Sequence, residues 1–338
     1  MPLIVAANFF VGRPWGVGAA AILGGFTNAG IGIFAIADLA GAQVWAPPGV
    51  SAADRFGYDA GTIVSVVAAS GFLFRQIRKE VSAIVPIDPD HPVHLVALVL
   101  ATLLLGIDIA AIAFAEVLSN ANSQPALTVL DLFENELPFL VIAAAGVGIL
   151  IRRNLVASVQ RLGLVIPAWW HVVLAVAAAG ALYAVGQGMD LLSHQLTPGV
   201  AHSVDATTQH VFGQLDNPVG IAALAILPGL SEDILFRGAI QPRLGLIVTA
   251  VLFTSLHTEY GLSMDTLAVF IAALGLGLIR KYANTTASVT CHTVYNLLAG
   301  IGIAGMALNA AIVIEVLLVV VSVYAIWTRR QAPATSSP

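Results

Sequence analysis

Apolar segments long enough to cross a lipid bilayer recur from one end of this chain to the other. Hydrophobic residues make up 58% of its 338 residues, and charged residues only 10%. A membrane-spanning helix needs roughly 17–25 mostly apolar residues, and about ten such segments follow one another between prolines, glycines and polar clusters. Backbone inside a bilayer must satisfy its own hydrogen bonds, as an α-helix does. The sequence therefore predicts an all-α, polytopic integral membrane bundle of about ten transmembrane helices.

Most connections between the predicted spans are short. The spans lie near residues 16–40, 58–75, 93–118, 137–152, 166–187, 218–240, 244–260, 264–280, 285–303 and 306–328. Longer connections are an inner linker at 76–92 and outer loops at 119–136 and 188–217. His194, His202 and His210 recur in the second outer loop, where we expect solvated side chains rather than metal ligands.

Basic residues are distributed unevenly between the two sides of the predicted bundle. With the N-terminus inside, Arg55 alone among the 14 Lys and Arg residues falls outside, while the outer loops carry acidic residues that include Glu136. Lys and Arg concentrate in cytoplasmic loops. We therefore expect both termini to be cytoplasmic, and the membrane to be the plasma membrane if the protein is bacterial.

The single cysteine limits the kinds of site that the chain can hold. Cys291 is the only one, which excludes an internal disulfide and a multi-cysteine metal site. We expect it to be a small buried apolar residue. The formal net charge of −5 does not identify partners, because topology places the basic residues of a membrane protein. No nucleic-acid ligand is expected.

Three ionisable residues interrupt the sixth predicted span, which is otherwise apolar. These are Glu232, Asp233 and Arg237. A charge inside a membrane costs at least ~2.5 kcal/mol on insertion scales, so such residues are usually functional. Asp233 and Arg237 are four residues apart and share a helix face, so we expect them to form a supporting ion pair. Glu232 is left without a partner on its own face.

Two further pairs of polar and aromatic residues follow in later spans. Phe253 and His257 are four residues apart, as are His292 and Asn296, so each pair forms one patch on its helix. With a rise of ~1.5 Å per residue, Glu232 and His257 lie about 18–20 Å from the inner end, and His292 to Asn296 about 12–18 Å. The three helices can therefore converge on one pocket, which we expect to open inward.

These side chains suit the hydrolysis of a peptide bond by an activated water. Glu232 can act as the general base, since an apolar setting can tune a carboxylate for this task. His257 could share the water or relay its proton. His292 and Asn296 could donate hydrogen bonds to the oxyanion, where one donor is commonly worth roughly 3 kcal/mol.

The order of these motifs resembles the CPBP family of CAAX proteases and bacteriocin-processing or immunity proteins, which includes the type II CAAX prenyl endopeptidases. That family carries Glu-Glu-x-x-x-Arg, Phe-x-x-x-His and His-x-x-x-Asn or Asp on successive membrane helices. Here the motifs read Glu232-Asp233-x-x-x-Arg237, Phe253-x-x-x-His257 and His292-x-x-x-Asn296. The family's second glutamate is thus an aspartate, which keeps the charge and shortens the reach.

The resemblance implies a glutamate-dependent intramembrane endopeptidase with Glu232, His257, His292 and Asn296 as catalytic residues. Its expected partners are a peptide or membrane-protein substrate and the lipid bilayer. It divides the chain into N-terminal transmembrane helices of unassigned role at 1–217, core helices at 218–304, and a last helix with a disordered polar tail at 305–338.

Two questions stay open at the level of sequence. Glu232, His257 and His292 could also hold zinc, although no His-Glu-x-x-His motif is present, and we expect no cofactor. The chain could also be a noncatalytic immunity or scaffold protein, or an ion-coupled transporter that uses Asp38 and Asp108 as well.

Overall fold

The protein is helical throughout the residues that its computed structural model describes, which are 1–47, 50–115, 125–302 and 305–331. No β-strand occurs among them. The predicted all-α class is therefore confirmed. Residues 332–338, the end of the predicted disordered tail, lie outside the described residues.

The helices fall into a group before the motif-bearing segment and a group within and after it. Helices α1 to α9 are, in chain order, Pro2–Phe10, Gly16–Leu39, Ala52–Gly71, Arg75–Val81, Pro92–Phe114, Val129–Val147, Leu155–Arg161, Trp169–Leu196 and Pro198–Phe212. The motif-bearing segment consists of α10 (Pro218–Asp233), a π-helix (Ile234–Ile240), α11 (Gln241–Ser255), α12 (Met264–Tyr282) and α13 (Thr285–Ile301). The last helix, α14, is Gly305–Gln331.

Every predicted span coincides with a helix or with consecutive helical segments. The stretches of the described chain that are long and apolar enough to cross a membrane are Gly16–Leu39, Pro92–Phe114, Trp169–Leu196, Pro218–Ser255 and Ala311–Thr328. Helices α3 and α4 together, bent by 90°, would make one more. The polytopic membrane character is confirmed, whereas the orientation of the termini stays a prediction.

Both predicted outer loops contain helical residues, so the sequence-based boundaries were wrong there. Helix α6 begins at Val129, within predicted loop 119–136, whose residues 119–124 lie outside the described part. Thr128 and Asp131 form a reciprocal capping box that starts this helix. Glu136 therefore lies inside α6 and is only 8% exposed. Helices α8 and α9 occupy most of predicted loop 188–217.

A buried apolar cluster surrounds the π-helix and fixes its position. Phe236 of the π-helix packs with Phe253 and Leu252 of α11, Val147 of α6 and Leu98 of α5. On the other side, α10 packs along α13, and α8 packs against α12, α13 and α14. The motif-bearing helices are thus enclosed by neighbours on both sides.

Candidate active site

A proline in the middle of α10 leaves one carbonyl of this helix free to accept a hydrogen bond from α13. Pro228 has no N–H for the carbonyl of Leu224, four residues earlier. That carbonyl instead accepts a hydrogen bond from Asn296 Nδ2 at 3.3 Å. At the neighbouring Gly229, a Cβ would lie 2.5 Å from Thr293 Oγ1 on α13. Glycine therefore permits the close approach of the two helices that carry Glu232 and His292.

The π-helix that follows Asp233 ends in carbonyls that arginine side chains cap. Pro242 cannot donate to the carbonyl of Gly238, and Gly245 breaks the helix with a φ of +80°. The carbonyls of Arg237, Gly238 and Ala239 accept hydrogen bonds from Arg280 at 3.1 Å, Arg161 at 3.4 Å and Arg243, respectively. Positive side chains suit this end, since helix carbonyls carry partial negative charge. Such a widened turn often accompanies a functional site.

Asp233 and Arg237 form an ion pair in the interior of the bundle. Their side chains are 0% and 1% exposed, and Asp233 Oδ1 lies 2.8 Å from Arg237 Nη1. The Arg237 guanidinium also lies over the Phe253 ring, with Cζ 4.1 Å from its centroid. His292 Nδ1 lies 3.5 Å from Asp233 Oδ1, which is longer than a normal hydrogen bond. The carboxylate of Asp233 thus has an ionic partner, Arg237, and a polar neighbour, His292.

Glu232, the preceding residue, has a different environment. Its Oε2 lies 3.9 Å from His292 Nε2, too far for a hydrogen bond, and its side chain is 11% exposed. The charges of Glu136 and Glu259 act on it, in addition to those of Asp233 and Arg237. Glu232 is therefore the carboxylate that stays available for chemistry.

Sequence analysis missed Glu136 as a member of this site. The Ser231 hydroxyl, next to Glu232 in the chain, donates a hydrogen bond to Glu136 Oε2. The signal that could have found it is the Thr128-x-x-Asp131 capping pattern, which places the start of α6 before Glu136.

The orientation of His257 follows from the end of α11. Its Nδ1 lies 3.0 Å from the carbonyl oxygen of Phe253, one of the last carbonyls of the helix. A carbonyl only accepts, so Nδ1 carries the proton and, in the neutral ring, Nε2 is an acceptor. The Phe253 ring lies between the two histidines, with centroids 4.8 Å from His257 and 5.9 Å from His292. Tyr260 stacks parallel to His257 at 6.2 Å.

The structure brings most of the predicted site residues together. Arg237, His257 and His292 contact the Phe253 ring. Asp233 pairs with Arg237, and Glu232 lies 3.9 Å from His292. Asn296 lies one turn further along α13, where it is bonded to α10, and its second amide N–H is the donor left for the predicted oxyanion role.

Two groups of residues have the chemistry of a metal site. Glu232, His257 and His292 supply one carboxylate and two imidazoles, the donor types of a catalytic zinc site. Their assignment stays a prediction. Away from them, ligand atoms of His194, His202 and Asp205 lie within 4.8 Å of one another, with His194 Nε2 3.0 Å from Asp205 Oδ2.

A cavity of about 480 Å³ lies on the side of Tyr260. Asp190, Asp205 and Asp265 line it together with Tyr295. In the predicted topology these carboxylates belong to the outer end of the bundle. The predicted inward opening of the site stays a prediction.

Comparison with known proteins identifies the segment that holds these residues. Residues 214–298 match the family described as Rce1-like, type II CAAX prenyl endopeptidase Rce1-like. Residues 214–298 are therefore similar to this family, and we refer to them as the Rce1-like segment. It includes all three motifs and spans about a quarter of the 338 residues. The resemblance seen in the motifs is thereby confirmed for this part of the chain, and it supports a CAAX-type protease. No curated protein and no solved structure matches the chain.

Proposed function

We propose that the protein is a glutamate-dependent intramembrane endopeptidase, similar to CAAX-type prenyl proteases, that hydrolyses peptide bonds with an activated water. The observation that carries this proposal is the contrast between two adjacent carboxylates. Asp233 is paired with Arg237 at 2.8 Å, whereas no basic side chain in the described part of the chain lies within hydrogen-bond distance of Glu232. Paired acids in different environments commonly have different tasks.

In the proposed reaction, Glu232 removes a proton from water while the water oxygen attacks the substrate carbonyl carbon. The carbonyl π bond opens to give a tetrahedral oxyanion. His292 and the second amide N–H of Asn296 donate hydrogen bonds to it. The C–N bond then breaks, and the leaving nitrogen takes the proton back from Glu232.

His257 supports the same reaction through its free ring nitrogen. Because Nδ1 donates to the Phe253 carbonyl, Nε2 can accept a proton from water or from Glu232 and later return it. This arrangement fixes the ring orientation before substrate binds.

Asp233 and Arg237 support the structure of the site and take no part in the reaction. The ion pair balances its own charge inside the bundle, so Glu232 is not locked to the guanidinium. The buried Phe253 ring contacts both the Arg237 guanidinium and the His257 ring.

The test is cleavage by the purified full chain of prenylated CAAX-type peptides and transmembrane peptides. We expect Glu232→Gln and His257→Ala each to lower the cleavage rate about 10²- to 10⁴-fold, the usual contribution of general acid–base catalysis. Glu134→Gln is the matched control, because this exposed carboxylate lies on α6. Undiminished cleavage by both site variants would reject the mechanism.

The transporter alternative draws on Asp38 and Asp108, and both have structural partners. Asp38 accepts hydrogen bonds from the backbone N–H groups of Trp45 and Ala46, each at 3.1 Å, and lies 3.2 Å from Arg55. Asp108 accepts a hydrogen bond from Ser255 at 2.8 Å. These contacts support structural roles, so peptide hydrolysis remains our proposal.

A further inference from the structure

A second cavity, of about 360 Å³, lies between the N-terminal helices and the Rce1-like segment. Helices α1, α5 and α6 form one side, and the π-helix and α11 form the other. Ala101, Phe139 and Phe236 are typical of its walls, and Arg243 is the only charged residue among those described around it. Apolar walls of this kind favour a hydrocarbon chain and provide almost no hydrogen-bond partners for a polar group.

Arg243 and Arg152 meet at one end of this cavity. Arg243 Nη2 donates to the carbonyl of Gly146 at 3.2 Å, and Gly146 lines the cavity. The same carbonyl accepts a hydrogen bond from Asn8 Nδ2 at 3.3 Å. Arg152 Nε donates to Asn8 Oδ1 at 2.7 Å. Asn8 thus holds the two guanidinium groups beside one carbonyl.

Arg153 and Arg161 extend this positive cluster to four arginines. The charges of Arg152, Arg153 and Arg161 all act on Arg243. Burial and the charges of Arg153 and Arg280 lower the pKa of Arg161. Within the described part of the chain, no carboxylate forms an ion pair with any of these arginines.

Carbonyl caps balance only part of this charge. A helix end carries roughly half a negative charge, which is much less than four guanidinium groups. Arg243 is nonetheless only 6% exposed, and buried cations are normally paired with an anion. The cluster therefore has the electrostatics of an anion site.

We infer that the cavity and the arginine cluster bind one anionic phospholipid, with an acyl chain in the cavity and the phosphate against Arg152 and Arg243. Arginine suits phosphate because its planar fork can donate two parallel hydrogen bonds. The cluster lies at the predicted cytoplasmic end of the bundle, where anionic lipids are found.

A lipid fits this cavity better than a peptide does. Peptide N–H and C=O groups need hydrogen-bond partners inside a membrane, and apart from Arg243 at one end the side chains described around the cavity are apolar. A bound acyl chain would fill space between α1, α5 and α6 and the π-helix. The lipid would therefore join the N-terminal helices, whose role the sequence leaves unassigned, to the Rce1-like segment.

The test measures lipid binding to the purified full chain by native mass spectrometry. Phosphatidylglycerol is compared with phosphatidylcholine, which lacks net negative charge, and with inorganic phosphate, which lacks the chain. We expect only phosphatidylglycerol to bind at a single site and to raise the thermal midpoint. Because no peptidase assay is involved, the result is independent of the proposed function.

Variants separate the headgroup site from the chain site. We expect Arg152→Gln, which can still bond to Asn8, and Ala101→Phe, which fills the cavity, each to weaken phosphatidylglycerol binding at least tenfold. Lys79→Gln and Ala29→Phe are matched controls at exposed positions and should bind as the wild type does.

Four results would overturn the inference. The first is equal binding of both phospholipids, and the second is unchanged phosphatidylglycerol binding in both site variants. The third is full stabilisation by inorganic phosphate alone, which would indicate a phosphate site without a lipid chain. Displacement of the lipid by a prenylated peptide would likewise assign the cavity to the substrate.

Discussion

Replacing Asp233 with asparagine would leave the Arg237 guanidinium in the bundle interior without its counter-charge. The guanidinium is 1% exposed, and Asp233 is its only ion-pair partner in the described part of the chain. Its remaining contacts are the Phe253 ring and a 3.5 Å hydrogen bond to the Ala273 carbonyl. Neither replaces a full negative charge.

The expected cost follows from this burial. Breaking a buried ion pair by removing one partner typically costs about 3–5 kcal/mol, because the other charge stays desolvated. Each 1.4 kcal/mol is a factor of ten, so the open population should rise about 10²- to 4 × 10³-fold.

Cys291 provides the assay, because it is the only thiol and is 0% exposed, next to His292. A maleimide dye reacts with it only when the surrounding helices open. When opening is fast, the labelling rate reports the open population. We therefore expect Asp233→Asn to be labelled about 10²- to 4 × 10³-fold faster than the wild type.

The double variant Asp233→Asn with Arg237→Met separates lost charge balance from lost packing. It removes both charges, so it should be labelled more slowly than the single variant Asp233→Asn. If Asp233→Asn were labelled at the same rate as the wild type, the reasoning would be refuted. A double variant that opens as readily as the single variant does would also refute it.

Three further predictions concern the helix contacts around the site. Glu136→Leu removes the acceptor of the Ser231 hydroxyl and should cost about 1–3 kcal/mol in the thiol-labelling assay, whereas Glu134→Leu, at an exposed position, should cost much less. Gly229→Ala places a Cβ 2.5 Å from the facing helix, so thiol labelling should show destabilisation by about 1–3 kcal/mol. Asn296→Leu should cost about 1–3 kcal/mol by leaving a carbonyl unpaired, and should cost less in a Pro228→Ala background, where a helical N–H is restored. Equal costs in the two backgrounds would show that Asn296 does not act through this carbonyl.

The predictions made from sequence succeed where the relevant contact is local. Asp233 and Arg237 are four residues apart, so helical periodicity alone brings them to one face. Helix starts at prolines such as Pro92 and Pro218 are local in the same way. The length of the apolar segments also identifies a membrane protein, because bilayer thickness sets how many apolar residues a spanning helix needs.

The errors have a physical cause as well. Glu136 was assigned to a loop because its segment contains several acidic residues, but a capping box starts α6 before it. Its burial depends on Ser231, 95 residues away. A charged residue can be accommodated in a helix when a distant partner satisfies it, and local composition does not reveal that partner.

The sequence by itself determined that this is a helical membrane protein, and it placed the three motifs on successive helices of the core. Tertiary structure alone decided which carbonyls the arginines cap, that Ser231 donates to the distant Glu136, and that Asn296 reaches Leu224 across 72 residues. It also decided the position of the apolar cavity beside Arg243. Periodicity and hydropathy act over a few residues, whereas these features depend on which helices pack side by side.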